Sequence, residues 1–283
     1  MKPLAFMTLI LLPALAWGQH DERSWKFEDQ ETIRRSFDVS SASNPKKLLV
    51  DNFNGFIHVG GYGGKEVQVT VEKRIRAESA EAMAEAKRDV KLDMSQQGNF
   101  VRLYEDGPFR NHDRGDRYYG YHVSFEFEIQ VPSETELVLK GFNQEIQVKK
   151  TTGDFDIHGF NGGIDLEDVS GSGSVQTFNG KVKVAFSKNP ARETHFKTFN
   201  GSVDVYFQPT LDADLHFKTF HGAIYTDFDV TALPTKLASG DSKSGKFVYR
   251  SSNRMTAGRT GKGGPELSFD TFNGSIRLHS RAL

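Results

Sequence analysis

Residues 176–205, QTFNGKVKVAFSKNPARETHFKTFNGSVDV, contain Thr-Phe-Asn-Gly twice, with Phe178 and Phe199 standing 21 residues apart. Each copy is followed by apolar residues at every second position. The template recurs as DNFNGFIHV, KGFNQEIQV, HGFNGGIDL, KTFHGAIYT and DTFNGSIRL. Seven units thus share Phe53, Phe142, Phe160, Phe178, Phe199, Phe220 and Phe272, and six of them continue with Asn54, Asn143, Asn161, Asn179, Asn200 or Asn273. Five run in tandem; the first and last are set apart by insertions. A fixed-period repeat of this kind is the sequence signature of a stacked architecture.

Aligned on the Phe, the units show which side faces inward. Three residues before it stand Val50, Leu139, Ile157, Val175, Phe196, Phe217 and Phe269; four residues after it stand Ile57, Ile146, Ile164, Val182, Val203, Ile224 and Ile276. Six residues after it the positions are again apolar, except for Thr226. Side chains alternate along a strand, so these residues share one face while polar ones such as Asp165, Lys183 and Asp204 share the other. Each unit therefore predicts a strand, a Phe-Asn-Gly corner and a second strand. Short one-sided strands bury their apolar face only by stacking, which predicts an all-β, β-solenoid-like stack of two-strand coils.

Gly tolerates φ > 0, and Asn is the next most tolerant residue, so Asn-Gly suits a sharp bend repeated in every unit. Stacked units would bring the Asn side chains close enough for an amide ladder and would bury the Phe column beside it. Gln144 replaces the corner Gly in one unit and His221 replaces Asn in another. Asn-Gly also closes two-residue hairpins, and the alternative is an antiparallel β-sandwich or meander. The fixed phase of Phe, Thr and Asn favours the stack.

Outside the repeats, KEVQVTVEKRIRA reads as a strand, and Ser79 is a plausible N-cap for a helix with Met83, Ala86 and Val90 on one face. The expected organisation is a signal peptide over 1–18, an N-terminal extended segment over 19–44, and one β-strand-repeat domain over 45–283. That domain divides into a strand-helix-strand insertion (65–130), tandem repeats (136–228), a loop or hairpin insertion (229–265) and a capping repeat (266–283).

Composition narrows the function classes. The 283 residues hold 36 Lys+Arg against 37 Asp+Glu, so no basic excess points to nucleic acid. There is no Cys, which excludes disulfides, zinc-thiolate sites and thiol nucleophiles. MKPLAFMTLILLPALAWG carries one Lys, an apolar run from Leu4 to Ala16, and small residues at Ala16 and Gly18, the layout of a secretory signal peptide. The run is too short to span a bilayer, so no transmembrane helix is expected after cleavage. The protein is expected to be exported, to the periplasm, the medium or the cell surface.

The seven units, the stretch RIRAESAEAMAEAKRDV and the closing GGPELSFDTFNGSIRL together resemble the bacterial putative-adhesin family of β-strand-repeat proteins, over residues from about 45 to 283. The resemblance implies an exported, β-solenoid-like domain of unknown function, with no catalytic motif to carry over.

Several groups are candidates for chemistry. His195 and His216 occupy the same repeat position, with Lys197 and Lys218 in the next outward column, and stacking would make them a basic stripe for an acidic glycan. The stretch 106–122, DGPFRNHDRGDRYYGYH, gathers Arg110, Arg114, Tyr118, Tyr119 and Tyr121, residue types favoured at contact surfaces. It includes the tripeptide Arg114-Gly115-Asp116. The two His lack a third ligand, and Asp165, Glu167 and Asp168 lack calcium-roll spacing, so neither metal nor other cofactor is expected. GRTGKGG fails the phosphate-loop pattern because Gly263 follows its Lys.

These readings predict a non-catalytic exported protein with an adhesin-type or cell-envelope interaction role, its partner a polysaccharide or a protein of the envelope. The alternative is a polysaccharide-active enzyme, for which Asp165 and Asp204 in one column would be the carboxylate pair. An outer-membrane β-barrel is a third reading, weakened by strands shorter than the 9–11 residues a bilayer needs.

Overall fold

The computed structural model describes residues 25–41, 45–110, 118–233 and 255–281. The predicted signal peptide, Arg114 with its tripeptide, and residues 234–254 of the predicted loop or hairpin insertion lie outside the described residues. The N-terminal part contains β1 (Phe27–Asp38), β2 (Lys47–Asn54), β3 (Ile57–Tyr62), β4 (Glu66–Ala77), α1 (Ala80–Asp89), β5 (Lys91–Gln97), β6 (Phe100–Asp106) and β7 (Tyr121–Pro132). The tandem units follow as pairs: β8 (Glu136–Asn143) and β9 (Ile146–Lys149), β10 (Phe155–Asn161) and β11 (Ile164–Val169), β12 (Gly173–Asn179) and β13 (Val182–Phe186). The pairs β14 (Thr194–Asn200) and β15 (Val203–Phe207), then β16 (Ala213–His221) and β17 (Ile224–Thr226), complete the run. β18 (Val230–Ala232), β19 (Met255–Thr260), β20 (Glu266–Asn273) and β21 (Ile276–Ser280) close the chain. Ser79 caps α1, accepting from the Ala82 N–H at 3.1 Å.

The fold is all-β, built from two large mixed sheets, and it is not a closed barrel. One sheet runs β1-β4-β7-β3-β9-β11-β13-β15-β21-β17, the other β18-β19-β16-β20-β14-β12-β10-β8-β2-β6-β5. Every repeat places its first strand in one sheet and its second in the other, so the Phe-Asn-Gly corner carries the chain between layers. The layering fits the sandwich alternative, but the units pair in parallel and not as antiparallel hairpins: Asn161 lies beside Asn143 and Asn179. The two strands of a hairpin would have to share a sheet, and these do not.

The predicted inward columns form the core. Val50, Leu139, Ile157, Val175, Phe196, Phe217 and Phe269 are all buried, as are the apolar positions after the corner in six units. The exception is the unit of Phe220, whose Ile224 and Thr226 are exposed. Among the described residues β17 ends its sheet and pairs only with β21, so no further strand lies beside these side chains.

Sequence order and spatial order part at this end. The last unit, expected to cap the array, instead inserts between its two predecessors, with Phe269 paired to Phe196 on one side and Phe217 on the other. The antiparallel β19, with β18 beyond it, occupies the outer side of β16. At the opposite end β1, in the segment expected only to be extended, pairs antiparallel with β4 over its full length.

Four residues of the corner have separate tasks. The Asn side chains form a ladder: Nδ2 of Asn143 donates to Oδ1 of Asn54 at 2.8 Å, Asn161 to Asn143 at 3.2 Å, and Asn179 to Asn161 at 2.9 Å. Asn200 and Asn273 continue it at 2.8 Å each. Thr177, Thr198, Thr271 and Thr219 each donate a hydroxyl to the corner glycine carbonyl of the neighbouring unit, at 2.8 to 3.0 Å. The Phe rings stack face to face from Phe53 through Phe142, Phe160, Phe178, Phe199 and Phe272 to Phe220, with centroids 4.5 to 5.1 Å apart. This column is not buried as expected: its inner members are 37 to 41% exposed. The rings point away from the layers because the corner turns there, and they gain ring-on-ring contact in place of full burial.

The corner glycine answers to spacing more than to φ. A Cβ on Gly180, Gly201 or Gly274 would lie 2.2, 2.0 or 1.8 Å from the carbonyl oxygen of the glycine one unit before it. No side chain fits between such backbones. Gln144 is accepted where it adopts a φ of 89°, and the first unit seats its Gly55 against the Phe125 carbonyl instead. Gly201→Ala should therefore cost about 3 kcal/mol in denaturant melts, whereas Gly63→Ala, with nothing within 4 Å, should change stability by less than about 0.5 kcal/mol. Asn179→Ala, which breaks two ladder bonds at an exposed position, should cost about 1–2 kcal/mol in the same assay.

Candidate functional site

A groove of about 720 Å³ opens where the ladder begins. Its floor is the corners of the first three units, with Asn54, Asn143, Gln144, Glu145 and Asn161, and Phe56 at one side. Its wall is the outer face of β4 and β7. There, His122, Ser124 and Glu126 project at alternate positions, and Arg76 stands directly across from His122. The wall exists because β4 and β7 pair with each other from Tyr121 onward while β3 joins β7 only from Phe127, so the front of the ribbon overhangs the corners.

The groove is charged at both ends. Among the described residues, Arg76 and Glu126 are in no ion pair, while Glu145 faces His58 at 3.1 Å and His58 faces Glu128 at 2.9 Å. His122 and Glu126 are four residues apart on one strand face, about 13 Å at the ordinary strand rise. Cationic and acidic ends with carboxamides between them suit a polar ligand.

Of the candidates from sequence, Arg110 lies just outside, donating to Asp51 Oδ1 at 2.7 Å and to the Glu105 and Asp51 carbonyls. Tyr118 is exposed and donates its hydroxyl to Glu78. Tyr119 and Tyr121 rings lie 5.5 Å apart, and burial pushes the Tyr121 phenol up to about 12. The His-Lys stripe is interrupted. Ser268 separates His195 from His216, and Asp270 separates Lys197 from Lys218, with Lys218 Nζ 3.6 Å from Asp270 and His216 3.7 Å from Glu266. Insertion of the last unit between the other two thus neutralises the stripe.

The carboxylate pair of the enzyme reading is also occupied. Lys183 lies between Asp165 and Asp204 in the column and pairs with Asp165 at 2.9 Å. Asp204 is nearly buried; burial raises its pKa, but hydrogen bonds from Lys181 and Ser202 and the nearby Arg277 outweigh it and hold the carboxyl below its usual range. A general acid needs the opposite shift.

Sequence reasoning missed the wall. The stretch HVSFEFEIQV showed a strand with one wet face, and only the late start of β3 singles out its first residues. It also missed Glu105, a buried carboxylate at the end of β6. Its Oε2 accepts from the backbone N–H groups of Phe53 and Asn54, which have no partner strand where β6 stops. Nothing in the sequence marks this position.

No protein-family model and no curated protein matches the chain. Among solved structures it is similar to a putative cell adhesion protein from Clostridium sporogenes, at 12% identity and a TM-score of 0.43, over 89% of this chain and 100% of that one. It is also similar to a putative adhesin from Bacteroides fragilis, at 13% identity and a TM-score of 0.38, over 88% and 97% of the two chains. A putative lipid binding protein from Parabacteroides distasonis is similar at 11% identity and a TM-score of 0.26, over 87% and 96%. Likeness at this level assigns neither ligand nor activity.

Glu105 gives the ladder's first corner a pH dependence. Burial pushes its carboxyl from an ordinary 4.5 to about 7, against the opposing pull of the Phe53 and Asn54 N–H groups and Arg110. The folded chain then binds this proton more tightly than the unfolded one. The resulting stability is fully present below about pH 4.5 and is lost as pH rises through 7, a fall of about 3 kcal/mol. Glu105→Gln should flatten the dependence of unfolding free energy between about pH 5 and pH 8, measured by denaturant titration at each pH.

Proposed function

We propose that the chain is an exported, non-catalytic interaction protein of adhesin type, acting at the cell envelope on a polysaccharide or protein partner. In this reading the repeats are coils of a β-solenoid-like stack within one domain over 45–283, and residues 1–18 direct export. The observation that carries it is the groove: Arg76 and Glu126, in no ion pair among the described residues, stand on a long strand ribbon, facing a row of carboxamides braced from unit to unit. A site presented on rigid strands offers oriented hydrogen-bonding groups at little ordering cost. The ion pairs at Asp165 and Asp204 speak for binding over turnover. Among the described residues, no helix is long and apolar enough to cross a membrane.

The test is retention of envelope material on the immobilised full chain, alongside fractionation of cells producing it. Wild-type protein should retain envelope polysaccharide or protein, and Arg76→Glu combined with Glu126→Lys should reduce retention at least tenfold with an unchanged melting temperature. Hydrolysis of an envelope polysaccharide by the purified chain, or its recovery solely inside the cytoplasm, overturns the proposal.

A further inference from the structure

Phe142, Phe160, Phe178 and Phe199 stand side by side on β8, β10, β12 and β14, neighbouring strands of one sheet, and they are exposed by 37 to 41%. None of the four lines the groove. Their faces are covered: each ring lies against the next at 4.7 to 5.1 Å and within 9° of parallel, and Phe53 and Phe272 cover the two ends. What solvent meets is therefore a row of ring edges. An edge carries the positive lobe of the ring quadrupole, so it attracts the π-face of a flat aromatic molecule and not the C–H face of a sugar.

A second row runs beside the first. Two residues before each Phe, and so on the same face of the sheet, stand Lys140, His158, Gln176 and Lys197 in register. The middle of this row is closed, because Gln176 Nε2 lies 2.5 Å from His158 Nδ1 and His158 Nε2 lies 2.7 Å from Asp156. Its two ends are cationic and exposed. Asp51 stands beside Lys140 but pairs with Arg110 at 2.7 Å, and Asp270 stands beside Lys197 but lies 3.6 Å from Lys218. Among the described residues neither Lys140 nor Lys197 is in an ion pair. Three strand spacings separate them, about 14 Å.

We propose that this stripe binds an elongated, planar aromatic molecule with an anionic group at each end. The molecule lies along the column with its π-face on the four ring edges and its anions at Lys140 and Lys197. The site is separate from the groove, and the inference goes beyond the adhesin-type reading. Repetition of one edge at one spacing rewards a ligand that is flat over its whole length, and the two lysines fix that length. A shorter dianion reaches one lysine only. A flexible acyl chain of equal length meets the edges without a matching π-face and loses chain freedom on lining up. The rings are held by their neighbours before any ligand arrives, so binding orders little of the protein.

The experiment titrates the purified full chain with para,para′-stilbene dicarboxylate, whose carboxylates stand about as far apart as the two lysines, and reads its fluorescence anisotropy. Competition then ranks para,para′-biphenyl dicarboxylate, a shorter flat dianion, and dodecanedioate, an aliphatic dianion of similar length. The stilbene should bind saturably, with both competitors at least tenfold weaker. Lys140→Gln with Lys197→Gln should weaken the stilbene at least tenfold at an unchanged melting temperature. Phe160→Leu with Phe178→Leu, which keeps apolar side chains and removes two ring edges, should also weaken it at least tenfold, measured well below the melting temperature of that variant. Equal binding of dodecanedioate makes the stripe a site for acyl chains and overturns the aromatic assignment. Equal binding of the biphenyl, or undiminished binding to the lysine variant, overturns the two-point charge match. No saturable binding of the stilbene up to millimolar concentration overturns the site. Retention of envelope material through Arg76 and Glu126 is a separate readout, so the adhesin-type reading stands or falls independently of these results.

Discussion

One close approach sets the spacing of the repeats: a Cβ on the corner glycines Gly180, Gly201 and Gly274 would fall within 2.2 Å of the carbonyl oxygen of the corner glycine in the neighbouring unit. That distance leaves no space for a side chain, so it locks successive units at one separation and one register. The carbonyl so approached still has to be satisfied, and the Thr two residues before the Asn does so from the next unit. Asn bonds its own kind at the same spacing, and Phe stacks on Phe. Thr-Phe-Asn-Gly is thus a single device whose four side-chain requirements follow from one backbone contact.

A ladder with direction has two unlike ends. Each Asn donates toward the first unit and accepts from the far side, so the final member needs a donor and no acceptor. His221 stands there, with Nδ1 3.2 Å from Asn273 Oδ1, which gives the His-for-Asn departure a physical reason. At the start the requirement is reversed. The N–H groups of Phe53 and Asn54 meet no continuing strand, and Glu105 supplies acceptors from a buried carboxylate at the cost of a raised pKa. Phe109 adds an eighth ring to the column at the same end, 4.4 Å from Phe53.

The inward columns, the amide ladder and the helix cap at Ser79 were legible because each depends on residues near in sequence or on a fixed repeat. What was not legible depends on order in space. Nothing in DTFNGSIRL distinguishes a unit at the end of an array from one inserted before it, and the difference decides whether Lys197 and Lys218 are neighbours or are parted by Asp270. The glycine was identified correctly but for an incomplete reason, since a requirement for spacing and one for positive φ select the same residue. The exposure of the Phe column was hidden for a similar cause: a repeated aromatic signals repeated contact, and contact between rings does not need burial.

The same logic explains why the groove lies where it does. Among the described residues every strand of the tandem units except β17 has neighbours on both sides, so regular stacking offers a partner little unpaired main chain. A groove forms where the repeat is broken. The first unit is a break of this kind, because its corner turns away at Gly55, against Phe125, while β7 extends past it to Tyr121, and the insertion that supplies β4, α1 and β7 braces that overhang by antiparallel pairing on its other side. The stack fixes the corners of the floor, and the insertion fixes the wall. Among the described residues Arg76 and Glu126 are in no ion pair on that wall, whereas in the stack Asp165 pairs with Lys183 and Asp204 with Arg277 across neighbouring strands. These two charges and the overhanging end of the β4-β7 ribbon meet at the groove, and that sets it apart from an ordinary wet face.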